Sequence, residues 1–108
     1  MRSQLVTPDR PPAVVCYGDY HALGLMKACC VRGIRVPEEL SITGFNDLEA
    51  ARMAPVQLTT ASHDARQFGR EAARLIFDIM EGKPATSVLL PPKLVIRPSI
   101  GPPPPTEI

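Results

Sequence analysis

Apolar residues are grouped along this chain in two ways. A short continuous apolar run falls at residues 13–16, strand candidates that mix apolar with Ser and Thr residues fall at 40–45 and 58–61, and longer stretches at helical spacing fall at residues 20–31 and 64–81. A continuous apolar run suits a strand buried on both faces of a parallel sheet. The run Ala13-Val14-Val15-Cys16 is followed by a turn at Gly18-Asp19, the helix 20–31 and the strand 40–45, which ends at Asn46-Asp47. This order predicts a strand–helix–strand unit with parallel strands and a right-handed crossover. Both strands then end on one edge of the sheet, where open α/β sheets collect ligands. Gly18, Asp19, Asn46 and Asp47 are expected there together.

The helix 20–31 is apolar around most of its circumference, interrupted only by His21 and Lys27 before Arg32 and Gly33. A helix on one sheet face needs a single apolar stripe. The surplus calls for a second cover, and a subunit contact is a candidate. Asp19 is expected as its N-cap. Residues 48–55 suit a short helix stopped by Pro55. The helix 64–81 repeats Ala65, Phe68, Ala72, Leu75, Ile76, Ile79 and Met80 at helical spacing. Asp64 and Gln67 form a capping signal and Gly82 a C-terminal stop. Arg66, Arg70 and Arg74 lie on the other face, where pairing of Arg74 with Asp78 outweighs a phosphate ladder. Residues 88–90 and 93–97 are two short strand candidates separated by Pro91-Pro92. Residues 1–12 read as an irregular lead-in and residues 100–108 as a disordered proline-rich tail.

At 108 residues and net charge +1, the chain is one domain at most, and its scattered basic residues give no nucleic-acid stripe. Cys16, Cys29 and Cys30 show no metal or disulfide spacing, so reduced, buried thiols are expected and no cofactor or metal. No run approaches membrane-spanning length, and no apolar core of a signal peptide stands at residues 1–8. The expectation is a cytoplasmic protein with no membrane partner. Ser62-His63-Asp64 is a triad only on paper, because adjacent side chains fan apart. With no phosphate loop and no HExxH, an enzyme is not expected.

The stretch RPPAVVCYGDYHALG at residues 10–24 resembles the RPxAVxxxNDxxAxG stretch of lactose/galactose-repressor-type (LacI/GalR) transcription regulators. The likeness continues through RGIRVPEELSITGFND at residues 32–47, Leu58-Thr59-Thr60, Gly69, EGKP at 81–84 and LLPPKLVIR at 89–97. What this implies is an α/β, partial periplasmic-binding-protein-like fold, with parallel strands, flanking helices and two short C-terminal strands. Residues 13–99 would be the C-terminal portion of the effector-binding domain. They would form one wall of a cleft for a sugar-like small molecule. Operator DNA would be met only through a helix-turn-helix headpiece that lies outside this stretch.

Carried over by position, the resemblance makes Asn46, Gly18 and Asp19 effector-binding residues. Asn46 stands where many members have an acid, and Gly18 where many have Asn. Leu23, and Ala50 to Ala54, match the homodimer interface of the regulatory domain, and Met26 on the apolar surface of the same helix as Leu23 is expected to join it. The helix 64–81 would pack on a subdomain that precedes this stretch in the family. A sugar-binding protein of a transport system and a stand-alone dimerisation module are the alternatives.

Overall fold

A computed structural model describes residues 10–105. The elements are β1 (Ala13–Val15), α1 (Asp19–Arg32), β2 (Ser41–Thr43), α2 (Glu49–Met53), β3 (Thr60–Ser62), α3 (Ala65–Met80) and β4 (Lys93–Val95). The order is that of an α/β chain, as expected. The signal-peptide reading and most of the lead-in fall on residues 1–9, outside the described residues.

The chain divides into two compact units, Met1–Ser62 with Leu94–Ile108, and His63–Lys93. In the first, β1 pairs with β2 in parallel, with Ala13 opposite Ser41 and Val15 opposite Thr43. The backbone N–H of Cys16 continues this ladder to Thr43 O at 2.9 Å. On its other side β2 meets the segment entering β3, through a parallel bridge between Thr43 and Thr59 and a bond from Gly44 N to Thr59 O of 3.0 Å. β4 pairs with β3. The core between α1 and this sheet is Cys16, Ala22, Leu25, Met26, Cys29, Leu40, Ile42, Ala51 and Leu58.

Ser99 fastens the middle of the sheet and is fully buried. Its hydroxyl donates to Ile42 O and accepts from Thr59 N, while its carbonyl accepts from Ile42 N. A serine in the turn after β4 thus takes over ladder bonds that two neighbouring strands leave open.

Three expectations need correction. β1 is not buried on both faces, since Val15 is 83% exposed. Among the described residues only β2 pairs with it, so β1 is an edge strand with one neighbour. Cys30 is exposed, unlike Cys16 and Cys29. It lies one residue past buried Cys29, about 100° around the helix. Burial raises the thiol pKa of Cys16 and of Cys29. Residues 88–90 form no strand, so one of the two short C-terminal strands, β4, is present. Pro91 and Pro92 have no N–H to give a ladder there.

The second unit is built on α3. The carboxylate of Asp64 accepts from Gln67 N at 3.1 Å, which caps the helix as its sequence predicts. Gly82 ends it with φ 72°. Lys83 N bonds to Asp78 O and Gly82 N to Ile79 O, the paired closure of a Schellman motif. Arg74 sits between Glu71 and Asp78 at 2.8 and 3.2 Å. No residue of α3 is buried, although Phe68, Ile76, Ile79 and Met80 give it an apolar face.

Candidate functional site

The carboxyl edge of the sheet brings together the residues expected there. α1 starts at Asp19, whose N–H donates to Phe45 O at 3.0 Å. A Cβ built on Gly18 would lie 3.9 Å from Asn46 Nδ2, so these two positions face each other across the edge. Asn46 and Asp47 both have positive φ, 108° and 53°. Asn and Asp tolerate that region better than most residues, and here it turns the chain sharply out of β2. Asn46 is exposed. Among the described residues, no group of three or more His, Cys, Asp or Glu side chains is placed to hold a metal ion.

Asp19 departs from its expected role as the helix cap. The N-cap is Gly18, with no side-chain cap bond, and Asp19 is the first helical residue. The helix begins one residue earlier than the capping signal suggests, so the carboxylate points into the sheet edge and not at the first-turn amides. It is 1% exposed. Its Oδ2 accepts from Leu48 N and its Oδ1 from Thr60 Oγ, each at 2.7 Å. Both oxygens are committed inside the protein. A Cβ at Gly44 would collide with Asp19 Oδ1 and Leu58, so only glycine fits beneath this carboxylate.

A second polar tie lies beside the first. Asp47 Oδ1 is 2.7 Å from Arg97 Nη2, with the two side chains only 17% and 13% exposed. Oδ1 makes no directed hydrogen bond, so the contact is an ion pair in type. Arg97 also donates to Leu58 O, and its backbone is held at both N and O by the Thr59 hydroxyl. Asp47 N in turn reaches Thr60 Oγ at 3.4 Å. Asp19, Thr60, Asp47 and Arg97 therefore lock the Phe45–Asn46–Asp47 turn from below. Thr59, Thr60 and Arg97 lie in stretches that carry the family likeness, Leu58-Thr59-Thr60 and LLPPKLVIR at 89–97, but nothing in either stretch names the partner of these side chains.

The four residues expected at a subunit interface also meet. Leu23, Met26, Ala50 and Ala54 line one apolar groove of about 720 Å³ between α1 and α2, with Met53 and Val56 among its other walls. α2 is fixed against the sheet by a bond from Leu58 N to Ala51 O.

Residues 1–100 match the family described as a periplasmic binding protein-like domain. The chain is 35% identical over 102 residues to the HTH-type transcriptional repressor PurR of Mannheimia succiniciproducens, covering 93% of this chain and 30% of that protein. It overlays a LacI family transcriptional regulator of Bifidobacterium animalis subsp. lactis with a TM-score of 0.86 and 31% identity, over 94% of this chain and 38% of that one. The transcriptional regulator CelR in complex with cellobiose matches with a TM-score of 0.77 and 29% identity, over 82% of this chain and 28% of that one. The chain thus spans about a third of the length of the proteins it matches. Among the described residues no helix is long and apolar enough to cross a membrane.

Proposed function

The chain belongs to the periplasmic binding protein-like domain family, in the form that domain takes in LacI-family transcription regulators, and from that premise we propose that it works as part of the effector-sensing domain of such a regulator. Gly18 and Asn46 form one wall of a cleft for a neutral, sugar-like effector. Asp19 holds that wall without touching the ligand. The groove of Leu23, Met26, Ala50 and Ala54 is the contact between two copies. Operator DNA is bound by a headpiece and not by residues 13–99, whose basic side chains form no stripe. The role is binding in the cytoplasm, not catalysis.

One observation carries the reading. The positions that match the family's effector contacts, Gly18 and Asn46, face each other at the carboxyl edge, on a turn held by the buried Asp19 carboxylate and the Asp47–Arg97 ion pair. The repressor names of the relatives favour a regulator over a transport protein, and the cellobiose complex of CelR supports a sugar. One wall cannot bury most of a ligand, and burial is what gives such sites their affinity. Titration calorimetry of this chain with sugars should therefore show no micromolar binding. Micromolar affinity from the chain alone would contradict a one-wall site.

A further inference from the structure

The pair of strands β1 and β2 is open on one side. Pro12 O accepts from Ser41 N and Cys16 N donates to Thr43 O, so residues 12, 14 and 16 turn their backbone groups toward β2. These groups alternate in direction along a strand. Ala13 and Val15 therefore turn theirs to the free edge, and both residues are exposed. The helix above repeats this asymmetry. Leu23 and Cys30 face α2 across the apolar groove, while Gly24, Ala28 and Val31 lie on the opposite flank of the buried face. α2 is tied to Leu58, on the far side of β2 from β1, so that opposite flank stands over the free edge of β1. A second concavity, of about 700 Å³, runs along it, with His21, Gly24, Lys27, Ala28, Val31 and Arg32 in its walls.

We infer that this flank and edge together are a docking surface for a strand–helix segment of polypeptide whose helix carries acidic side chains. The strand pairs with β1. The helix lies beside α1, because successive right-handed crossovers in one direction leave their helices on one face of the sheet. A Cβ built on Gly24 meets nothing within 4 Å, so a neighbouring helix can approach the α1 backbone closely there. Val31, 79% exposed, supplies an apolar contact. The charges choose the occupant. Among the described residues Lys27 and Arg32 take part in no ion pair, and no acid lines the concavity. A second copy of this chain would set the same cations against each other, which is unfavourable. Glu or Asp on the incoming helix pairs with them. The segment comes from outside the described residues, and its docking does not depend on what binds at the carboxyl edge.

Arg32 lines this concavity and not the groove facing α2, so it reports on this surface alone. The probe is a synthetic strand–turn–helix peptide with Val and Ile in its strand, Leu and Ala on one face of its helix and Glu along the flank. A twin peptide carries Lys in place of Glu. Added to the 15N-labelled full chain, the Glu peptide should shift the amides of Gly24, Ala28 and Val31, and those of Ala13 and Val15, in a saturable way. The Lys peptide should bind about tenfold more weakly. Arg32→Glu should reverse that preference, with the helical circular-dichroism signal unchanged. Equal affinity for the two peptides, or a preference that Arg32→Glu leaves as it was, would overturn the proposal. Shifts at Met53 and Val56 in place of Gly24 and Ala28 would put the peptide in the groove between α1 and α2 and overturn it too. So would movement of the Gly24, Ala28 and Val31 amides on concentrating the chain alone, which would make the occupant a second copy.

Discussion

Asp19 accepts two charge-assisted hydrogen bonds in a site sealed from water, and each such bond contributes about 1.5–3 kcal/mol. Asp19→Ala leaves Leu48 N–H and the Thr60 hydroxyl without this partner. Urea unfolding should report a loss of about 3 kcal/mol, well beyond the ~1 kcal/mol of a helix cap. A loss of 1 kcal/mol or less would return Asp19 to a capping role. Glu39 contributes to the low-pH limb. The Arg35 backbone N–H bonded to Glu39, together with the Arg35 and Arg10 side chains, lowers the pKa of Glu39 below its usual 4.5. A lowered folded value means that Glu39 contributes stability above pH 4.5, which is lost as pH falls through the folded value. Glu39→Gln should flatten that part of the acid unfolding curve, and an unchanged acid midpoint would remove Glu39 from the account. Residue type and position suffice to put Gly18 and Asn46 at the sheet edge. The commitment of Asp19 to Thr60, 41 residues away, has no local signature. Arg97 meets Asp47 only after the chain has passed through the whole second unit.

Elements with a strong period and explicit ends are readable from the sequence. α3 has both, and its observed cap at Asp64 and stop at Gly82 follow the local chemistry. A Cβ at Gly82 meets nothing within 4 Å, so Gly82→Ala suffers only from its φ of 72°. Its cost should be about 1 kcal/mol, seen as a lower midpoint in the helical circular-dichroism melt. No change would mean that the helix end frays. Short strands are harder to read, because their burial depends on neighbours that the run itself does not name. Ala13-Val14-Val15 has the composition of a central strand, yet it lies at an edge with Val15 exposed. Residues 88–90 have strand composition and form none. α1 is the opposite case. Its unusually apolar circumference is matched by a buried face of Ala22, Leu25, Met26 and Cys29, and by Tyr20 and Val31 left exposed.

At the scale of the whole molecule, the apolar groove between α1 and α2 is the surface on which the proposed contact between two copies rests. Burying apolar surface yields roughly 25 cal/mol per Å², so a groove lined by Leu23, Met26, Met53 and Val56 favours a second copy over water. A two-fold contact suits it, because one patch then serves both partners. Leu23→Asp places a charge in that contact on a helix whose core face is Ala22, Leu25, Met26 and Cys29. Its far-ultraviolet spectrum should be unchanged while association weakens at least tenfold. The most direct test of the account is sedimentation equilibrium of the unmodified chain at roughly 50 micromolar, a concentration at which such a dimer should be populated. The account predicts a mass of two chains, falling toward one chain for Leu23→Asp. A compact, sharply melting monomer, unaffected by that substitution, would contradict it.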